Sequence, residues 1–326
     1  VTVRTLAALA GVVVLAGCAA PADTALTDRV ALVTPGSVSD AAWNAGAFAG
    51  LNAIADSLGV EVSHVEARTP AEQEEALRSY AAAGYALVFG HGFEFQQPAE
   101  RVAAEFPETV FAITSGQRVS GNVVPLIFRI HEATYLLGML AGGLTESGAL
   151  GFVGGMELPP IVLGLNGWEA GARAVRPDVE SRTTWLNSFD DVSAGQEAAL
   201  AMMRLGVDQL HHNADAAALG IFSAVREVPG VLVYGANADQ SMLAPAHVPA
   251  SAVIDLPHAM MLVARQVKDG SFEPRVESFG LASDVIRLSY GADFINRIPA
   301  PLRAWVDAAA DSIIAGTLIV ASGGTP

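Results

Sequence analysis

Short runs rich in β-branched and aromatic residues alternate with helix-patterned stretches along nearly the whole chain. "RVALVT" (29–34) reads as a strand, and a helix follows it from near Asp40. "GVEVSHVEA" precedes "PAEQEEALRSYAAAG", where Pro70 falls in the first helical turn and Gly84 closes the last. "YALVFG", "QPAERVAAEFP", "TVFAIT" and "NVVPLIFRI" continue the alternation. A second set then repeats it: "GALGFVGG", "VLGLNGWEAGARAV", "ESRTTWLN", "VSAGQEAALAMMRLG", "VDQLHH", "AAALGIFSAVRE" and "VLVYGAN". Alternation of this kind predicts an α/β protein with a mostly parallel sheet covered by helices on both faces, and two successive sets predict two such lobes. The expected boundaries are 29–130 plus about 256–326 for the first lobe and 131–255 for the second. "HEATYLLGMLAG" and "SAVIDLPHAMMLVARQVKDG" serve as hinge crossings between them, and "SDVIRLSYG" adds a late strand.

The opening segment breaks the pattern. "VTVRTLAALAGVVVLAGC" carries one charge, Arg4, then an apolar or small-residue run from Leu6 to Gly17. That run falls short of the roughly 20 residues a spanning helix needs, and suits the apolar core of a secretory signal peptide. It ends in Leu15-Ala16-Gly17-Cys18, which resembles the lipobox of bacterial lipoproteins. The expectation is a signal peptide over 1–17, lipidation at Cys18, and a flexible tether over 18–28. Cys18 is the single cysteine, so no disulfide can form within the chain. The apolar stretch "EATYLLGMLAGGL" is interrupted by Glu132 and Gly138 and does not read as a membrane span. With 34 acidic against 18 basic side chains, nucleic acid and anionic lipid are poor ligands. An exported, lipid-anchored chain of two α/β lobes fits the two-lobed periplasmic-binding-protein type I fold.

In open parallel sheets ligands lie beyond the carboxyl ends of the strands, so the residues that follow each strand are the candidates. Asp40, Trp43 and Asn44 follow the first strand, with Asp40 also placed to cap the helix. "GHGFEF" brings Gly90, His91 and Phe93, and "SFDD" brings Phe189. "HHNAD" brings His212, Asn213 and Asp215, and "GANADQ" brings Asn237 and Asp239. Aromatic, amide and carboxylate groups at every strand end suit a flat heterocycle. Packing competes with each of these roles: Trp43 and Phe189 could be core, Asp40 could only cap, Asp239 could brace its turn, and Trp168 stands among apolar helix positions. The adjacent histidines point to opposite faces of a strand and cannot readily share a metal ion. No G-x-S-x-G, P-loop, H-E-x-x-H or G-x-G-x-x-G motif occurs, which argues against an enzyme and against a bound cofactor.

"LLGMLAGGLTESGALGFVGGMELPPIVLGLNGWEAGARAVRPD" closely resembles the BMP (basic membrane lipoprotein) family, the PnrA-like substrate-binding proteins of ABC transporters. "WLNSFDDVSAGQEAA" and "ANADQ" extend the likeness from about Val30 to Gly270. The resemblance implies capture of a purine nucleoside between two aromatic faces, with Trp43 as the first and Phe189, or its rival Trp168, as the second. It implies an ABC permease and ATPase as partners, a monomer, and attachment to the cell membrane through lipid only. One departure stands out: nucleoside-binding members carry a lysine where Ile254 falls here. A free purine base, or another flat heterocycle such as a flavin, therefore stays open as ligand, as does a role in sensing rather than transport.

Overall fold

A computed structural model describes residues 29–40 and 42–321; Cys18, the signal peptide and the tether lie outside the described residues. The chain runs β1 (Arg29–Thr34), α1 (Trp43–Leu58), β2 (Glu61–Glu66), α2 (Pro70–Ala82), β3 (Leu87–His91), α3 (Gln96–Ala103), β4 (Val110–Thr114) and β5 (Val123–Phe128). It crosses into α4 (Ile130–Leu144), β6 (Ala149–Gly154), α5 (Pro159–Val175), β7 (Glu180–Trp185), α6 (Val192–Arg204), β8 (Gln209–Asn213), α7 (Ala218–Arg226), β9 (Leu232–Asn237) and β10 (Ala250–Ile254). It returns through α8 (Leu256–Asp269) and β11 (Glu277–Phe279), then ends on β12 (Ile286–Tyr290) and α9 (Ala300–Ile314).

Two six-stranded sheets result, ordered β11-β5-β4-β3-β1-β2 and β12-β10-β9-β8-β6-β7. This is the periplasmic-binding-protein type of fold. The two orders correspond strand for strand, and every pairing between named strands is parallel except β10 with β12. Central strands are buried along their length because helices cover both faces: in β1, Ala31 and Val33 meet α2 and α3, while Val30 and Leu32 meet α1 and α8. The edge strands β2 and β7 are half exposed.

The expected division of the carboxyl-terminal part needs correction. Residues from about 256 onward do not all join the first lobe. Helix α8 packs on α1 and β11 adds to the first sheet, but β12 pairs with β10 in the second and α9 packs on α4. The short strand β11 has no sequence signal of its own; its three residues are held because they lie beside β5.

Local chemistry sets the helix ends. Thr69 and Glu72 form a capping box before α2, with Pro70 in the first turn. Asp255 accepts from His258 N at the start of α8. Helices α4 and α5 pack backbone to backbone: a Cβ at Gly171 would lie 1.8 Å from Tyr135 O, and one at Gly138 would lie 2.0 Å from Trp168 O. The three crossings (128–130, 254–256 and 279–286) are tied together. Arg129 N donates to Phe279 O at 2.7 Å, Glu132 accepts from Leu281 N at 2.7 Å, and Asp255 N donates to Val285 O at 2.7 Å.

Candidate functional site

The carboxyl ends of both sheets face a common cleft of about 290 Å³. The first lobe lines it with Asp40, Trp43, Asn44, Arg68, Phe93, Glu94, Ser115 and Phe128; the second with Met156, Ile161, Phe189, Asp190, Asn213, Asp215, Asn237 and Ile254, among others. The edge strands β2 and β7 form its mouth, where Arg68 donates across the lobes to Asp190 at 3.3 Å. The opposite end lies at the crossings, where Phe128, Ile130 and Ile254 stand.

Trp43 is held from behind. Its ring stacks on His91 with centroids 4.2 Å apart and meets Phe128 edge-on at 6.2 Å. His91 Nε2 donates to the Trp43 carbonyl at 3.1 Å, so Nδ1 accepts from the Thr114 hydroxyl at 2.9 Å. Burial pushes the His91 imidazole down to about 3, which keeps it neutral behind the indole. Asp40 organises the same turn by accepting from the backbone N–H groups of Ala42, Asn44 and Ala45 at 3.1, 2.7 and 2.9 Å. These are donors that the start of a helix otherwise leaves unpaired. Asn44 is 6% exposed, and its side-chain oxygen has no hydrogen-bond partner among the described residues.

Across the cleft, Phe189 lies over Gly155, where a Cβ would come within 2.2 Å of the ring. Behind it Asn213, Asp215 and Asn237 form the polar wall. Asp215 and Asn237 both hold positive φ (44° and 65°), as does Ser115 (55°) on the facing lobe. Left-handed backbone is uncommon outside glycine, Asn and Asp tolerating it best, and it gathers at functional sites. Burial pushes the Asp215 carboxyl up to about 8, and the neighbouring carboxylates of Asp40 and Glu94 push the same way. The Asn237 amide, donating at 3.5 Å, opposes them weakly. At neutral pH Asp215 therefore keeps its proton and can donate as well as accept. The Glu94 carboxyl is also raised by burial, although the residue as a whole stays exposed.

Eight of the thirteen ligand candidates reach the cleft: Asp40, Trp43, Asn44, Phe93, Phe189, Asn213, Asp215 and Asn237. Five do not. Gly90 lies inside β3, where a Cβ would collide with Ile113 and Phe95 at 2.8 Å. His91 supports Trp43 rather than lining the cleft. Trp168 is fully buried, tilted against His211 and Tyr234 at 5.1 and 5.0 Å. His212 is buried against Phe222 and donates to Gln240 at 3.0 Å. Asp239 braces its turn by accepting from Ser241 N and the Ser289 hydroxyl at 3.0 and 2.8 Å. Arg68, Glu94 and Ser115 line the cleft without having been singled out as ligand contacts, and Asp190, which the sequence places at the strand end beside Phe189, lines it too. All four follow strands, Arg68 and Asp190 at sheet edges and Glu94 and Ser115 after the interior strands β3 and β4, and a polar residue just past a strand carries no periodic signal to separate it from a solvent-facing one.

The described residues contain no group of three or more side chains suited to a metal ion and no helix long and apolar enough to cross a membrane. A model of the family described as ABC transporter substrate-binding protein PnrA-like matches residues 27–301. Basic membrane protein A2 of Borrelia garinii is 28% identical over 299 residues, covering 90% of this chain and 88% of its own. A purine-binding protein of Brucella abortus is 26% identical, with 80% of this chain and 75% of its own covered. The ABC transporter nucleoside-binding protein BmpA of Lactococcus lactis is 29% identical, with 72% and 73% covered. A solved ABC transporter solute-binding protein from Aeropyrum pernix superimposes with a TM-score of 0.83 at 24% identity, over 91% of this chain and 94% of its own.

Proposed function

The chain belongs to the PnrA-like family of ABC transporter substrate-binding proteins, and from that premise we propose that it captures a purine base or purine nucleoside in the interlobe cleft and delivers it to an ABC permease and ATPase. The observation that carries this reading is the pair of aromatic residues on opposite lobes, Trp43 and Phe189, lining one cavity with Asn213, Asp215 and Asn237. A flat ring between two such faces gains roughly 1–3 kcal/mol per stacking contact. Its edges meet Asn44, an acceptor without a partner, and Asp215, a carboxyl that can donate. Phosphorylated ligands are disfavoured, because Arg68 is the one basic side chain among the described residues lining the cleft and it already faces Asp190. Capture works through closure. The open lobes offer one face each, and a ligand that touches both stabilises the closed form by its differential affinity for it. Lipid on Cys18 would hold the protein at the outer face of the cell membrane, within reach of the permease.

A thermal-shift screen against purine bases, purine nucleosides, pyrimidine counterparts and flavins tests the reading. A ligand at a hundred times its Kd adds about 2.7 kcal/mol of stability by mass action. Purine compounds are expected to raise the Tm by several degrees and pyrimidines by less. No shift with any purine, or an equal shift with flavins or pyrimidines, would overturn it.

A further inference from the structure

The two ends of the cleft differ in chemistry. At the mouth stand Arg68 and Asp190; at the crossings stand Phe128, Ile130, Ile161 and Ile254. Strand order places them. In the second sheet the carboxyl ends run from β7 through β6, β8 and β9 to β10, so lining residues follow as Phe189, then Asn213, then Asn237, then Ile254. In the first sheet they run from Arg68, after β2, to Phe128 at the end of β5. Phe128 and Ile130 flank one crossing and Ile254 precedes another, so this end wall is made of the hinge itself.

The four apolar residues of the wall are 5–7% exposed and offer no side-chain hydrogen-bonding group. A hydroxyl pressed against them would lose its water without a replacement, whereas a hydrocarbon group would lose nothing polar. We propose that this wall is a subsite for an apolar substituent, so that the preferred ligand is a heterocycle carrying an alkyl group rather than a sugar. The proposal rests on the reading of the cleft as a site for a flat heterocycle, and it names what that ring carries at its far end. Ile254 is the residue that decides it, because it ends β10 one residue beyond Val253, the register partner of Asn237, and lines the cleft there.

Calorimetric titration of the chain with adenine, adenosine and two alkyl series tests the subsite. One series extends adenine at N9 with methyl, ethyl and propyl groups, the other at N6. Affinity is expected to rise about fourfold for each methylene that reaches the wall. The rise is expected in whichever series points at the crossings, with adenosine binding more weakly than the propyl compound of that series. I254S should flatten the rise while leaving adenine itself within a few fold, and I254V should preserve both. Adenine binding with no gain in either series, or adenosine binding more tightly than every alkyl compound, overturns the subsite but leaves the heterocycle reading standing. Failure of adenine, adenosine and all alkyl compounds to bind overturns both.

Discussion

Trp43 and Phe189 face the same cavity from lobes of matching strand order, yet they are held in different ways. Trp43 follows the central strand β1, at the first turn of α1, with an imidazole stacked at 4.2 Å behind it and three backbone donors gathered by Asp40. Phe189 follows the edge strand β7 in a loop, resting on the bare backbone of Gly155 and preceded by Asn187 at φ 55°. The first face is set before a ligand arrives. The second is held by the contact with Gly155 and by one backbone hydrogen bond, from Ala217 N to Phe189 O at 2.9 Å. A binding protein needs both: one preorganised surface that reduces the ordering cost on binding, and one that completes the enclosure.

The largest effect expected from this contrast concerns stability in acid. Burial holds His91 at about 3 in the first lobe, and His211 and His212 at about 4 and about 3 in the second. Unfolded, each would take up a proton near pH 6.5, while the folded protein resists until far lower. Stability is therefore present above pH 6.5 and lost as pH falls toward 4, at up to about 1.4 kcal/mol per pH unit for each histidine. Thermal melts between pH 7 and 5 should show it, with His64 and His131, also lowered by burial, adding to the fall, and changing His91 to Gln should shallow it by removing one contribution. An unaltered slope would mean that this imidazole is not buried neutral. Asp215 acts in the opposite sense: its raised carboxyl contributes stability at low pH that is lost as pH rises to about 8. Asp215→Asn, neutral at every pH, should melt higher than the parent chain at pH 9 and show no such gain at pH 4.

Next in size is the cost of removing each aromatic face. Trp43→Ala should lower ligand affinity by ~1–3 kcal/mol, the full range for a base on an aromatic ring, with a cooperative melt retained. Phe189→Ala should cost about 1 kcal/mol, the low end of that range, because its loop can partly refill the space. Titration of both variants with the same ligand decides the matter. Equal losses would mean that the preset face has no advantage.

The smallest effect belongs to the mouth. Arg68 and Asp190 are more than half exposed, at 57% and 58%, and Glu66 shares the guanidinium. Pairs of this kind contribute ~0–1 kcal/mol and are screened by salt. Arg68→Gln should speed ligand release at most a few fold in stopped-flow measurements, and less at high salt. A tenfold change would make this pair a principal hold on the closed form.

Much of this was legible before the structure. Hydrophobic periodicity located the strands and helices of both lobes, because parallel strands buried on two faces read as apolar runs. The rule that ligands lie beyond strand ends then led to Trp43, Phe189, Asn213, Asp215 and Asn237. It did not tell His91 from its neighbours, since whether a strand-end residue looks into the cleft or supports one that does depends on which way the chain turns after the strand. Trp168 was ambiguous for a related reason: an aromatic on a glycine-rich helix face fits a pocket or a core equally well until the partner helix is known.

By itself, then, the sequence determined the lobes, their order and the chemistry offered at each strand end, all of which follow from local patterns of burial and turn formation. Only the tertiary structure decided which lobe took β12 and α9, which carboxyl kept its proton, and that the hinge end of the cleft is apolar while its mouth is charged. Those outcomes depend on contacts between segments far apart in the chain, such as Arg68 with Asp190 or β12 with β10. Desolvation and charge coupling act through space, so no pattern read along the chain can carry them.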